Sequence, residues 1–479
     1  MRSYRHVRLQ LSLNDREPIY QQIKSYIINE IMRGRLLPGA LLPGTRILAQ
    51  QLKVNRNTVV LAYEHLTTAG WTISRYKSGT HVNDSVPSGR MLPSGEGPPA
   101  TDISFRQFNF SHSHPSPAPF DIIFDDGLSD FKLAPVSEIS REWRRIMLQD
   151  NHRELFSQPL RGNEQLLQEV NSMLNNDRGL AITPEHICIT RGMQMALYLT
   201  AQTLLSPGDH VAVEQPGYQP AWQTFITTGA QLHHIPSGLQ GIDLEALERC
   251  CQSIPLKALY ITPHHQYPAT TTLPEHKRVQ LLELSRQYGF LIIEDDYDHE
   301  YHFGVQQLPL AAMSQNGNVI YLGSVIHSLP VNFVCGPPDF IASLAAYRTI
   351  IDREGDPVLQ QALANLMAAG DIRKHIHHTR SIYRQKLEHT SGIVQELFNG
   401  HAHYEQPEGG LAIWLQLHKP VAPELLLQKV RSVGINIADP LSYIPRHEDV
   451  PGIRLGYATL EQAQMMQGLN RLSKVIRQL

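Results

Sequence analysis

LLPGTRILAQQLKVNRNTVVLAYEHLTTAGWTISRYKSGTHV, residues 41–82, decides what the first part of this chain is. Pro43 and Gly44 precede a short helix over Arg46–Leu52, for which Thr45 suits the N-cap. Lys53-Val54-Asn55 reads as a tight turn. Asn55 can cap a third helix from Arg56 to about Ala69, closed by Gly70. Val59, Ala62, Tyr63 and Leu66 fall at helical spacing and make its inner face, while Arg56, Asn57 and Thr58 occupy an exposed first turn. Trp71–Ser74 and Thr80–Val82 read as two strands around Tyr76-Lys77-Ser78-Gly79, a basic hairpin. Together these elements make a winged helix-turn-helix. Its third helix would present side chains to a DNA major groove, and its N-terminal dipole favours a phosphate. Lys77 would reach a neighbouring phosphate or the minor groove.

Upstream, Ile19, Ile23, Ile27 and Ile31 recur every four residues from Glu17 onward, flanked by Tyr20 and Tyr26. This is an amphipathic helix ended by Gly34 and Leu36-Leu37-Pro38. Charge agrees with the nucleic-acid reading. Residues 1–83 hold twelve Lys/Arg against four Asp/Glu, a net of +8, whereas the rest of the chain carries −11. The whole chain has 479 residues, 42% of them hydrophobic and 18% charged, which suits several packed domains and excludes a wholly disordered protein. No run of about 18 apolar residues occurs, so no membrane partner is expected. The N-terminus has no apolar secretory core, and Cys188, Cys250, Cys251 and Cys335 show no metal or disulfide spacing. A cytoplasmic location is the default expectation.

The 41–82 segment is similar to the GntR-type winged-helix domain over its full length. The resemblance rests on Leu-Pro-x-x-Arg (42–46), Leu-Ala (48–49), Arg-Asn-Thr-Val (56–59), Ala-Tyr-x-x-Leu (62–66) and Ser-Gly-Thr-x-Val (78–82). It implies contacts to a double-stranded DNA operator from Arg46, Arg56, Asn57 and Thr58, and from the wing residues Lys77, Ser78, Gly79 and Thr80. The competing reading makes Arg46 and Arg56 surface ion-pair residues.

Residues 84–119 contain seven prolines, seven serines and three glycines and read as an interdomain tether, with His112 and His114 solvated. From 120 to 479 the chain alternates strands and helices. Ile187–Thr190, His210–Glu214, Ala258–Thr262, Phe290–Asp295 and Asn318–Gly323 are short apolar runs. That is an α/β layout with a mostly parallel sheet, whose ligands sit at the carboxyl ends of the strands.

Those ends carry Arg191-Gly192, Pro216-Gly217-Tyr218, His264-His265-Gln266-Tyr267-Pro268, Asp295-Asp296-Tyr297 and Ser324–His327; with them go the pieces Gln158-Pro159-x-Arg161-Gly162, Thr190-x-Gly192-x-Gln194, Pro207-Gly208-Asp209, Glu214-x-Pro216-Gly217-Tyr218, His265-Gln266-Tyr267-Pro268, Glu294-Asp295-Asp296-Tyr297-Asp298 and Arg454-Leu455-Gly456-Tyr457. The set resembles fold-type I pyridoxal-phosphate (PLP) enzymes of the aspartate-aminotransferase-like group. Joined to a GntR-like head, it resembles the MocR subfamily of bacterial transcription regulators, which implies a head-to-tail homodimer and a small-molecule effector. By that resemblance Asp295 would pair with the pyridinium nitrogen and Tyr297 with the ring hydroxyl. Tyr218 and Arg454 would lie near the substrate, Arg454 holding a carboxylate as a bidentate fork.

The pattern breaks at residues 323–336, GSVIHSLPVNFVCG. The family form is Gly-Thr-x-Ser-Lys-x-Leu-x-Pro-x-x-Arg-x-Gly. It aligns without a gap, with Ser324 inside the segment and His327 on the lysine that forms the Schiff base. Val334 falls on the arginine that pairs with the cofactor phosphate, Ile326 on a serine there, and Ala269-Thr270 on a small residue and glycine. An imidazole has no primary amine to form an imine, and the lost arginine removes a charge-assisted phosphate contact. The expectation is therefore a transcription regulator, not an enzyme, with no covalent cofactor. Its effector pocket would be built from Tyr218, Asp295, Tyr297, Ser324, His327 and Arg454. PLP held non-covalently is the weaker alternative, and an active aminotransferase is weaker still. His327 is either a satisfied pocket histidine or a hydrogen-bonding group for another effector. Asp295 and Tyr297 either serve that pocket or brace the strand ends. Asp295, Asp296 and Asp298 are read as strand-end carboxylates, and no metal site is expected.

Overall fold

The structure, a computed structural model, describes residues 11, 17–75, 78–85, 120–149, 159–314, 317–352, 355–445 and 448–479. Lys77, His112, His114, Gln158 and nearly all of the 84–119 segment lie outside the described residues. The chain divides into two compact units, Met1–Asn109 and Phe110–Leu479. The division falls inside the Pro/Ser-rich segment.

In the first unit, α1 (Ile19–Met32) buries Ile23, Ile27 and Ile31, while Ile19 in its first turn stays exposed. α2 is Thr45–Leu52, and its N-cap is Gly44. Thr45 is thus the first helical residue and not the cap; its hydroxyl instead accepts from Arg56 Nε at 3.4 Å. α3 (Arg56–Thr68) is capped by Asn55, whose side chain accepts from the Asn57 N–H at 2.8 Å. Val59, Ala62, Tyr63 and Leu66 are buried along one side of α3, and the Tyr63 hydroxyl donates to the Pro43 carbonyl at 2.8 Å. This bond ties α3 to the start of α2 and fixes the angle of the two helices. β1 (Thr72–Arg75) and β2 (Gly79–Val82) pair antiparallel, each displaced by one residue from the expected start.

The second unit is built on an eight-stranded sheet. Its strands are β4 (Ile187–Thr190), β5 (His210–Gln215), β6 (Gln231–Gly238), β7 (Gly241–Ile242), β8 (Leu256–Ile261), β9 (Leu291–Asp296), β10 (Val319–Ser324) and β11 (Asn332–Cys335). They lie in the order β4-β11-β10-β9-β8-β5-β6-β7. β10, β9, β8, β5 and β6 run parallel to one another; β11 runs antiparallel to both β10 and β4, and β7 to β6. β3 (Ile122–Ile123) belongs instead to a two-stranded pair with Ile435–Asn436. Apolar side chains fill both faces of the sheet, with Ile293, Ile320 and Leu322 in one cluster and Ile292 and Val319 in another. Burial on both faces is why these strands read as continuous apolar runs. The C-terminal part carries a smaller antiparallel sheet of Ala402–His403, Ala412–Val421 and Val450–Gly456. Parallel pairing brings the carboxyl ends of β8, β9 and β10 side by side, with Leu322 opposite Asp295 and Gly323 opposite Asp296. The candidate site is assembled at that edge.

Candidate functional site

In the first unit Arg46, Arg56, Asn57, Ser78 and Gly79 are exposed, and Thr58 and Thr80 half-buried. Among the described residues neither Arg46 nor Arg56 enters an ion pair. With Asn55 satisfying one N–H of the first turn, Arg56 and Asn57 project from an ordered helix end. Ser78 Oγ lies 3.0 Å from His81 Nε2, whose Nδ1 lies 3.2 Å from the Gly39 carbonyl oxygen, so the wing is tied down near its tip.

In the second unit Asp295 is the penultimate residue of β9 and is buried. Its Oδ2 accepts from the Tyr260 hydroxyl at 2.7 Å, and its Oδ1 is buried without a partner. Burial pushes this carboxyl up to about 7, against the lowering by Tyr260. Tyr297 donates its hydroxyl to the His265 carbonyl at 3.1 Å. Ser324 Oγ donates to the Tyr297 carbonyl at 3.1 Å and, at 3.4 Å, faces Glu300. His327 has its backbone N–H on Glu300 at 2.6 Å and its Nδ1 2.8 Å from Ser129 Oγ, and burial lowers its pKa, leaving a neutral ring. Its ring centre is 6.4 Å from those of Tyr297 and Tyr301. Tyr218 packs edge-on against Tyr267, with centroids 5.1 Å apart.

Arg454 departs from its expected role. It is buried, its Nε is 3.1 Å from Asp126 Oδ1, its Nη1 donates to the Pro268 carbonyl at 3.0 Å, and its Nη2 reaches Tyr297 at 3.5 Å. The guanidinium also lies 4.8 Å above the Tyr267 ring. The fork expected for a substrate carboxylate is engaged inside the chain by the Pro268 carbonyl and the Tyr297 hydroxyl, with Asp126 beside Nε.

Tested against pyridoxal phosphate, the residues fit at one end only. The orphaned Asp295 Oδ1 is the acceptor that a pyridinium N–H requires. His327, which the sequence alignment sets on the Schiff-base lysine, has no primary amine. At the phosphate end Ile326 and Val334 are fully buried, Val334 within β11 between Leu322 and Cys188.

The fold also gathers residues that sequence reasoning missed. His264 and His265 follow β8; His299 and His302 follow β9. Their rings lie 4.7–5.3 Å apart in four pairs. Burial pushes Asp296 up, but His299, His264 and Arg178 outweigh it and hold its carboxyl well below the usual range. Asp296 Oδ2 accepts from Tyr321 at 2.5 Å and from His299 Nδ1 at 2.7 Å; Arg178 in turn donates to Tyr321 at 2.7 Å. The available signal was four histidines just beyond two adjacent strands, which carries no fixed spacing and so resembles no motif.

The sequence profile described as "Bacterial regulatory proteins, gntR family" matches residues 19–82. The second unit is similar to a kynurenine aminotransferase of Pyrococcus horikoshii, solved with PMP, at 26% identity and a TM-score of 0.70 over 76% of this chain and 92% of that one. The chain joins a GntR-type N-terminal domain to a fold-type I aminotransferase-like domain. Relatives with both parts align along nearly the whole chain. The "Probable rhizopine catabolism regulatory protein MocR" of Rhizobium meliloti is 27% identical over 470 residues, 95% of this chain and 93% of its own length. The "HTH-type pyridoxine biosynthesis transcriptional regulator PdxR" of Corynebacterium glutamicum is 28% identical over 477 residues, 98% of each. Among the described residues of the GntR-type and aminotransferase-like domains, no helix is long and apolar enough to cross a membrane.

Proposed function

We propose that the protein is a MocR-type transcription regulator that binds a double-stranded DNA operator as a homodimer. The observation that carries this reading is the capped, exposed first turn of α3 within the segment matched to the gntR family. Arg46, Arg56, Asn57 and Thr58 contact the operator, and the wing at 77–80 contacts the flanking backbone. Residues 1–83 are the DNA-binding unit, 84–119 the tether and 120–479 the dimerising effector unit, with partners arranged head to tail in the cytoplasm. In fluorescence anisotropy, DNA from upstream of its own gene should bind far more tightly than unrelated DNA, with a steep fall as salt rises. Equal affinity for unrelated DNA at physiological salt would defeat the reading.

The effector unit has lost covalent PLP chemistry and catalyses no transamination. His327 stands where a Schiff-base lysine is needed, and transamination also needs that amine to move the substrate proton. The pocket around Tyr218, Asp295, Tyr297, Ser324 and His327 takes a different small molecule. Turnover of an amino donor with 2-oxoglutarate would contradict this. A second reading, PLP held without a covalent bond, is favoured by the orphaned Asp295 Oδ1. Equilibrium dialysis against PLP, repeated with Asp295→Ala, distinguishes it: a loss of retained PLP in the variant supports this second reading.

A further inference from the structure

The histidine cluster behind the effector pocket contains a bonding pattern that hydrogen bonds within the chain do not complete. His265 Nδ1 lies 2.7 Å from Asp298 Oδ1. A carboxylate only accepts, so this nitrogen carries the proton and the lone pair of a neutral ring is on Nε2. His302 Nε2 lies 2.9 Å from the Val305 carbonyl oxygen, so its proton is there and its lone pair is on Nδ1. Those two lone-pair nitrogens face each other at 3.1 Å. Two acceptors at that distance repel unless a further proton or a metal cation lies between them. Two imidazole nitrogens on one tetrahedral zinc, at about 2.0–2.1 Å each, stand roughly 3.3 Å apart. The observed separation is close to that value.

A third ring completes the set. His264 is 2% exposed, and neither of its nitrogens has a hydrogen-bond partner. A nitrogen of His264 lies within 4.8 Å of those of His265 and His302. Its Nδ1 is 3.9 Å from Asp296 Oδ1, a buried carboxylate oxygen that also has no partner. The rings of His265 and His302 thus each have one nitrogen on an oxygen acceptor and one left over, while both nitrogens of His264 are without a hydrogen-bond partner. Such outer acceptors orient metal-binding histidines and fix their tautomers. His264 and His302 also line a cavity of about 680 Å³, which gives an ion a route in.

We propose that one ring nitrogen of His264, with His265 Nε2 and His302 Nδ1, binds one divalent transition cation of the zinc class. Three neutral imidazoles suit zinc or cobalt rather than calcium or magnesium, which take oxygen ligands. Asp296 and Asp298 supply the outer carboxylates that balance the ion's charge. Three protein ligands leave a place for water or for a ligand group, unlike a closed structural zinc site. It is separate from the His327 pocket and does not depend on DNA binding.

The test uses tag-free, full-length protein stripped with a chelator, then titrated with Zn(II) against a chromophoric competitor and separately with Co(II). One equivalent of each should bind, and the Co(II) form should show the intense visible bands of tetrahedral coordination. His264→Gln and His302→Gln should lose affinity by more than the roughly 10–100-fold that removal of an outer-shell partner costs. Asp298→Asn should keep the stoichiometry and weaken binding by that about 10–100-fold. His210→Gln, which alters a distant histidine pair with His233, should bind as the parent does. Far-ultraviolet circular dichroism checks each variant's fold. Should the His264 and His302 variants misfold, the Co(II) spectrum of the parent decides alone. Weak octahedral bands, or parent affinity no greater than that of a folded His264→Gln, would overturn the site and leave His265 and His302 sharing a proton beside Asp298.

Discussion

Arg454 shows how a residue suited to ligand recognition can serve the fold instead. Its three nitrogens meet Asp126, the Pro268 carbonyl and Tyr297, joining the small C-terminal sheet to the edge of the large one. Arg454→Ala leaves these acceptors without their donor. The expected loss is about 2–3 kcal/mol in the unfolding of the aminotransferase-like unit, below the about 3–5 of a fully buried pair because Asp126 is 39% exposed. A loss under about 1 kcal/mol would return Arg454 to ligand binding. Asp295 makes a prediction in pH. Its folded pKa is raised to about 7 from an ordinary 3.8. A raised carboxyl adds stability that is present in full below the ordinary value and is lost as pH climbs through the folded one. Denaturant midpoints should therefore fall between about pH 4 and 7, and Asp295→Asn should flatten that slope by more than about 1 kcal/mol. Gly409 is a third test. A Cβ there would collide with His265 Nε2 and with the Tyr301 carbonyl, so Gly409→Ala should displace His265 and weaken Zn(II) binding in the competitor titration.

At the scale of elements, α3 separates stability from recognition within two neighbouring residues. Asn55→Ala removes the cap and should lower the head's unfolding transition by about 1 kcal/mol. Arg56→Ala should leave that transition within about 0.5 kcal/mol, as surface changes do, and weaken operator binding. A comparable loss of stability in both would show that Arg56 holds the helix rather than the DNA. Much of this architecture is legible in the chain. Helical spacing marks the buried face of α3, and five apolar runs mark β4, β5, β8, β9 and β10 to within one or two residues. Gln231–Gly238 leaves no such mark, because this strand is largely exposed and carries Gln231, His233, His234 and Pro236. Asn332–Cys335 lies inside the 323–336 segment read for its cofactor positions, and its pairing with β10 and β4 makes it a strand. The histidine cluster was hidden for a related reason. His264 and His299 meet only because β8 and β9 run parallel and in register, so that Ile261 stands beside Glu294. The partners of Arg454 and His327 were not legible either: Asp126 and Ser129, which engage them, come from a segment over 190 residues earlier.

At the scale of the whole molecule, a basic unit of net +8 precedes a body of net −11. The charge difference favours DNA contact through the first unit alone. On the proposed reading, an effector of the body would change DNA affinity only by binding the competent and incompetent states unequally. The central claim is that this body is an aminotransferase-like fold without covalent cofactor chemistry. Its most direct test is an absorbance titration of the full-length protein with pyridoxal phosphate, followed by borohydride reduction and intact-mass measurement. The account predicts no aldimine band and no added mass. A reducible adduct of one cofactor per chain would contradict it, and would place a working lysine within reach of Asp295 despite His327.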